Sequence, residues 1–242
     1  MIDIIVVTYN AKNKLRRCLQ SIEKYTKGIP YQLTVVNNNS RDETAEYLNK
    51  KYTNSQNVKI IHAKKNMGFS GAANLALKNT SNKFIALLDD DLEVTEGWLM
   101  KLYKNIKNRP SVAIVGPKVV LPNKKIFSAE MIIWNHIVIP VGMKEKDNSQ
   151  RNYTRQADAL CGACWLMDRD IIKKVGYLDE RFFPCQMEDV DYCIRVRLAG
   201  YKIIYDGKIT IIHHNLYRAL GNKNWIRFIK KWPDLSMFPL KG

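Results

Sequence analysis

Three carboxylates stand in a row at Asp89, Asp90 and Asp91, directly after the apolar run Phe84-Ile85-Ala86-Leu87-Leu88. Adjacent acids repel one another and are costly unless a cation or a polar ligand sits among them. The apolar run reads as a strand buried on both faces. The carboxyl end of such a strand in an α/β sheet is where ligands collect. The plain alternative is an acidic turn that follows a strand. A second cluster, Glu188-Asp189-Val190-Asp191, opens a later helical pattern. Acids there complement the helix dipole, or one of them faces a cleft as a general base. His213 and His214 follow the last predicted strand. They are polar filler, or one is an imidazole ligand for a hard cation that carboxylates already hold.

The elements that must position these groups follow a simple alternation. Strands are predicted at Ile2–Thr8, Gln32–Val36, Val58–His62 and Phe84–Leu88. Between them come helical patterns at Lys12–Tyr25, from a Ser40/Glu43 capping box to about Lys51, and at Ala72–Lys78. Strand, helix, strand, helix with short connections implies an α/β fold with a mostly parallel sheet and helices on both faces. The strands end in Thr8-Tyr9-Asn10, Asn37-Asn38-Asn39-Ser40, Lys64-Lys65-Asn66 and the Asp triplet, so polar groups gather at one edge. Gly68 and Gly71 would admit close backbone approach, although this spacing often marks only a turn. A phosphate loop of the G-x-x-x-x-G-K-[ST] type is absent, which argues against an ATP-hydrolysing P-loop.

Downstream, a helix is expected from about Glu96 to Asn108 and a strand over Val112–Val115. Pro122–Gln156 shows no clean period and reads as a long surface excursion suited to substrate contacts. Asp168 should cap a short helix ending at Gly176, followed by a helix over Glu188–Leu198. Two strands, Lys202–Tyr205 and Lys208–Ile212, should close the fold. The absence of repeats and of a linker makes residues 1–242 one expected domain, with halves 1–116 and 117–214 and a tail 215–242.

Composition adds constraints. The chain has 242 residues, 46% hydrophobic, enough for a sizeable core. Thirty-nine basic and 23 acidic residues leave +16, a surface that attracts phosphate on a nucleotide, a membrane leaflet or a nucleic acid. The start has no basic n-region, and Met131–Met143, interrupted by Asn135, His136 and Pro140, is too short to span a bilayer. Five cysteines point to reduced thiols and a cytoplasmic setting. Cys161-x-x-Cys164 lacks the second pair a zinc site normally needs, so packed thiols are expected.

The ordered set Val6-Val7-Thr8-Tyr9-Asn10, Asn66-x-Gly68-Phe69-Ser70 with Asn74, Leu88-Asp89-Asp90-Asp91, and Glu188-Asp189-Val190-Asp191 with Arg195 and Gly200 resembles family 2 glycosyltransferases. The phrase Gly176-Tyr177-Leu178-Asp179-Glu180-Arg181-Phe182-Phe183 matches as well, and the likeness extends from Ile2 to about His214. The resemblance implies the GT-A fold, Rossmann-like with a smaller acceptor-side subregion, and a rhamnosyltransferase-like, inverting enzyme that uses a nucleoside diphosphate sugar. It implies that Thr8, Tyr9, Asn10, Asn37, Asn66 and Gly68 bind the nucleotide-sugar, with Asp89 or Asp90 at the ribose and Gly162 and Ala163 lining the donor sugar. It implies Mn²⁺ or Mg²⁺ held by Asp91, Asp89 and His213, and Asp189 as base with Glu188 and Asp191 as further candidates. Relatives usually carry Asp where this chain has Asn37. An amide oxygen accepts the N3–H of uracil or thymine, whereas its NH₂ donates to cytosine. UDP is therefore the first expected donor nucleotide, with dTDP and CDP as alternatives.

The acceptor implied is a glycan or a lipid-linked sugar in surface polysaccharide synthesis. Glycosylation of a protein or a modified DNA base, or a non-catalytic module binding nucleotide or nucleic acid, are the competing readings. In the tail, Trp225, Phe228, Ile229 and Trp232 fall on one helix face among Lys223, Arg227, Lys230 and Lys231. Tyr217–Trp232 would then either lie on anionic membrane at the inner face or pack back on the sheet.

Overall fold

The computed structural model describes residues 1–134, 136–214 and 222–236. Its elements in chain order are β1 (Ile2–Thr8), α1 (Lys12–Tyr25), β2 (Tyr31–Asn37), α2 (Thr44–Tyr52), β3 (Val58–His62), α3 (Gly68–Lys78) and β4 (Phe84–Asp89). There follow β5 (Leu92–Glu93), α4 (Trp98–Ile106), β6 (Val112–Val120), β7 (Ile126–Ser128), β8 (Met131–Trp134), β9 (Ile137–Pro140) and β10 (Thr154–Gln156). The chain continues with β11 (Cys164–Asp168), α5 (Asp170–Val175), α6 (Glu188–Leu198), β12 (Lys202–His213) and α7 (Lys223–Lys231).

The central sheet runs β10-β12-β6-β11-β4-β1-β2-β3, with β5 added to β12 and β7 to β6. β3, β2, β1 and β4 are mutually parallel, as are β6 and β12, while β11 inserts antiparallel between β4 and β6. This is the expected α/β architecture. Every residue of β1 is buried, which a sheet covered on both faces demands of its central strands. Strand alternation sends Ile5 and Val7 to one face, with Ala72, Ala73 and Ala76 of α3 and Val190 and Ile194 of α6. Ile4 and Val6 point to the other, with Leu15 and Leu19 of α1, Leu48 of α2 and Leu102 of α4. The parallel register matches Val7 to Asp89, Thr8 to Asn37, and Asn37 to His62. The polar strand ends are thereby brought to a single edge.

Three local expectations change. The Ser40/Glu43 capping box does not form. Ser40 Oγ instead accepts from the Asn10 amide at 2.9 Å, and the Thr44 amide at the start of α2 donates to Asp42. The two closing strands are one strand, β12, whose register against β6 shifts between Asp206 and Thr210. The 122–156 excursion is built, not bare loop: it holds β7, the β8–β9 hairpin and β10. Its later part is pinned by buried Lys118, whose ammonium donates to Asp147 at 2.7 Å and Asn152 at 2.6 Å.

The tail takes one of its two expected courses. Tyr217 lies outside the described residues, but α7 packs on the domain. Phe228 and Leu235 are fully buried in the core, Trp232 rests against it, and Trp225 and Ile229 are half-buried. Lys231 pairs with Asp179 and Asp191, and the Trp232 indole N–H donates to Asp191 at 2.9 Å. Of the two courses open to this apolar face, lipid or the domain, it takes the domain. Among the described residues no helix is long and apolar enough to cross a membrane. Phe228→Ala should lower unfolding free energy by about 3–5 kcal/mol, the usual cost of emptying a buried aromatic site. Chemical denaturation checks this, and a loss below about 1 kcal/mol would mean that α7 does not pack as described.

Candidate active site

At the end of β4 the chain turns through the Asp triplet into β5, a strand of only two residues. β5 pairs antiparallel with the end of β12, setting Leu92 opposite His213 and Glu93 opposite Ile212. The His214 amide donates to the Asp91 carbonyl at 2.9 Å, which fixes the turn. His213 Nε2 therefore lies 3.0 Å from Asp91 Oδ1 and 3.9 Å from Asp89 Oδ2. One ligand atom from each of Asp89, Asp91 and His213 falls within 4.8 Å of the others. Two carboxylates and one imidazole are a donor set suited to Mn²⁺, and the carboxylates alone suit Mg²⁺. The residues fit a divalent cation. The Phe127 ring packs 4.9 Å from the imidazole.

The three acids do not behave alike. Burial together with Asp91, Asp90, Glu188 and Asp189 pushes Asp89 well above the usual carboxylate range. Burial also lifts Asp90, to about 7, against the opposing pull of the Thr8 side chain and the Tyr9 amide. For Asp91 burial works in the same sense, but the hydrogen bond and charge of His213, with Lys14 at 3.8 Å, outweigh it and leave it low. Asp91 is the acid most readily kept as a carboxylate. Lys14 and Phe127 were not singled out from the sequence; a lysine in the first turn of α1 carries no signal until β1 and β4 are placed side by side.

The second acidic cluster divides. The Asp189 carboxylate accepts from the Gly162 amide at 3.0 Å and from its neighbour Val190 at 2.8 Å. Burial raises its pKa while those amides oppose the rise. Glu188 is buried beside it, and burial and the Asp189 charge push it well above its ordinary value. Asp191 is fully buried and bound by Arg195 at 3.0 Å, Lys231 and Trp232. Its carboxylate holds α7 and lies apart from the group formed by Asp189 and Gly162. The short segment Gly162–Ala163 joins the two acidic clusters. Gly162 donates to Asp189, and the Ala163 carbonyl accepts the Asp89 amide at 3.0 Å. A Cβ on Gly162 would stand 2.9 Å from the Asp189 Cβ, so a side chain there displaces the carboxylate.

The strand ends form the remaining wall. Tyr9 is exposed, and Asn10 Oδ1 accepts the Arg41 amide at 2.6 Å. Asn37 is buried; its Oδ1 accepts the Ser40 amide at 3.0 Å, and its Nδ2 lies 3.1 Å from His62 Nδ1. His62 Nε2 lies 2.9 Å from Asn49 Oδ1. Asn66 Oδ1 accepts from Asn38 at 3.1 Å and from the Gly68 amide at 2.8 Å, holding the turn into α3. Gly68 has φ +70°, and a Cβ there would meet the Pro184 carbonyl at 2.8 Å. That carbonyl accepts the Phe69 amide at 2.7 Å, so α3 supports the loop that delivers Glu188 and Asp189. All five cysteines are free thiols, and no described Cys belongs to a cluster able to hold a metal.

A family model described as "Glycosyl transferase family 2" matches residues 3–176. An O-antigen biosynthesis protein of Myxococcus xanthus is 25% identical over 88% of this chain and 17% of its own length. An N-acetylglucosaminyl-diphospho-decaprenol L-rhamnosyltransferase of Mycobacterium tuberculosis is 22% identical over 90% of this chain and 77% of its own. Among solved structures, GalNAc-T7 with UDP, GalNAc and Mn²⁺ aligns with TM-score 0.78 over 98% of this chain and 49% of that one, at 16% identity. That likeness establishes the shared fold. The chain spans about a quarter or less of the first two curated relatives it matches, 24% and 17%.

Gly162→Ala should lower turnover by about 100-fold if the Asp189 carboxylate it displaces is a reacting group, since misplacing such a group by about 1 Å costs that much. The protein should melt within a few degrees of the parent. Steady-state kinetics with a melting curve checks it; unchanged turnover would show that Gly162 does not set the Asp189 carboxylate.

Proposed function

The chain belongs to glycosyl transferase family 2, and from that premise we propose that it transfers a sugar from a nucleoside diphosphate donor to an acceptor hydroxyl in glycan or polysaccharide synthesis. The observation that carries this reading is the convergence of Asp89, Asp91 and His213, with Asp189 tied through Gly162–Ala163 to the same strand end. Residues 1–116 would form the donor half, residues 117–214 the acceptor half, and 215–242 a tail. Similarity to proteins of O-antigen synthesis and rhamnosyl transfer supports a polysaccharide or lipid-linked acceptor.

In this reading Asp91, Asp89 and His213 hold Mn²⁺ or Mg²⁺. When bound, such a cation supplies Lewis-acid neutralisation of the leaving diphosphate. Asp189 takes the proton of the acceptor hydroxyl, a poor nucleophile without that help. Gly162 and Val190 amides keep its carboxylate oriented for this task. Attack opposite the leaving group inverts the anomeric carbon. Burial, together with the charge of Asp189, favours the protonated form of Glu188. Asp191 serves as the anchor of α7.

Thr8, Tyr9, Asn10, Asn66, Gly68 and Asp90 would line the nucleoside end, with Gly162 and Ala163 at the sugar. With His62 Nε2–H donating to Asn49 Oδ1, its Nδ1 accepts from the Asn37 NH₂. The remaining lone pair of the Asn37 carbonyl is then the group able to meet a base. An acceptor there matches the N3–H of uracil or thymine and supports UDP ahead of CDP.

Asp189→Asn should retain donor binding and lose transfer by at least about 100-fold, the lower range for removing a general base. Calorimetry and product assays separate the two readings; full activity in the variant would refute Asp189 as base. Because burial raises its pKa, kcat/KM should fall on acidification with a limb above the ordinary aspartate value of about 3.9. A limb at or below that value would contradict the assignment. Chelation with EDTA should abolish transfer and Mn²⁺ restore it, whereas activity indifferent to EDTA would remove the cation from the account.

A further inference from the structure

The β8–β9 hairpin carries an apolar face that is left exposed among the described residues. Its register pairs Ile132 with Ile139 and Trp134 with Ile137 across the strands. Alternation turns Met131, Ile133 and Val138 toward the core, where Ile133 is fully buried. The opposite face presents Trp134 at 47% exposure, Ile137 at 50% and Ile139 at 40%. Apolar cross-strand pairs facing water are unusual on a strongly charged protein and mark an interaction surface.

Charge around the hairpin indicates the occupant. Exposed Lys124 and Lys125 lie in the segment leading into it, and exposed Lys144 and Lys146 in the segment leading out. At its tip, His136 Nε2–H donates to the Trp232 carbonyl at 2.7 Å, which sets the hairpin beside the end of α7 and exposed Lys230. Neighbouring acids are already paired with cations of the fold: Glu130 with Arg155, Glu145 with Arg151, and Asp147 with buried Lys118. Asp234 is the exposed acid near the tip. An apolar wedge with lysines in the adjoining segments that pair with no acid among the described residues, on a chain of net charge +16, is complementary to a surface with an apolar interior and anionic headgroups.

We propose that the outward face of the β8–β9 hairpin docks this protein on an anionic lipid bilayer, with Trp134, Ile137 and Ile139 entering the headgroup region. The hairpin is tied to the candidate site at its base. Met131 bridges Ala159, three residues before Gly162, and β7 just ahead of the hairpin carries Phe127 against His213. Docking would hold the cleft near the membrane surface. This surface, rather than the packed face of α7, takes the lipid-facing role.

Co-sedimentation of the full chain with phosphatidylcholine vesicles, with and without phosphatidylglycerol, tests the proposal without donor or acceptor, and so independently of the transfer reading. The parent should bind only the anionic vesicles and release as salt rises. The pair Ile137→Ser with Ile139→Ser should reduce partitioning by about 10-fold or more. Lys144→Glu with Lys146→Glu should reduce it without touching the apolar face. Both variants alter exposed positions, and melting curves should match the parent. Failure of the parent to bind anionic vesicles would overturn the proposal, as would unchanged binding by both folded variants. A parent that sediments as a dimer, which the Ile137/Ile139 variant dissociates, would also overturn it and make this face a contact between copies.

Discussion

Carboxyl groups crowded into one cleft are the constraint on which the arrangement depends. Asp89, Asp90, Asp91, Glu188 and Asp189 all raise or feel one another's pKa at the carboxyl edge of the sheet. Two like charges about 4 Å apart repel by about 4 kcal/mol at an effective dielectric near 20, so such a cluster cannot remain fully ionised unaided. Among the described residues, His213 and Lys14 both favour ionised Asp91. The other acids are left protonated or in want of positive charge. A divalent cation with a diphosphate is the kind of ligand that relieves this imbalance, and the surrounding +16 favours the anionic part of it.

The fold brings the acids together with few and short devices. A two-residue strand, β5, is enough to pair Leu92 with His213, joining positions more than a hundred residues apart. Gly162–Ala163 uses one amide and one carbonyl to fasten Asp189 and Asp89 to the same stretch of backbone. The Phe183–Met187 loop rests on the first turn of α3 through the Pro184 carbonyl, which explains why Gly68 and Phe69 belong to the same constellation as Glu188 and Asp189. Asp191, two positions after Asp189 and so on the opposite side of α6, is paired with Arg195 and Lys231. Neighbours in sequence thus take unlike roles because a helix turns them to unlike surroundings.

Much of this was legible in the chain. The buried parallel strands announce themselves as apolar runs, and their polar ends mark the cleft edge, because periodicity and burial are local properties. Pairings between distant segments were harder to read. Nothing near His213 identifies Leu92 as its partner, and nothing near Gly162 states that its amide meets Asp189. The Ser40/Glu43 signature was misleading because the Asn10 amide, far away in sequence, competes for Ser40 Oγ. The amphipathic tail was ambiguous for a similar reason: the same stripe suits lipid or a protein core, and only the presence of Asp179 and Asp191 beneath Lys231 selects the core. The hairpin leaves little trace in the sequence because its four-residue strands carry too few alternations to stand out from irregular sequence.

Anomalous diffraction at the manganese edge, from crystals grown with Mn²⁺ and a nucleoside diphosphate, tests the central claim most directly. The account predicts one peak liganded by Asp91, His213 Nε2 and Asp89, with the diphosphate completing the coordination and Asp189 outside it. A peak held by Glu188 and Asp189 without His213, or no peak at the triplet, would contradict it.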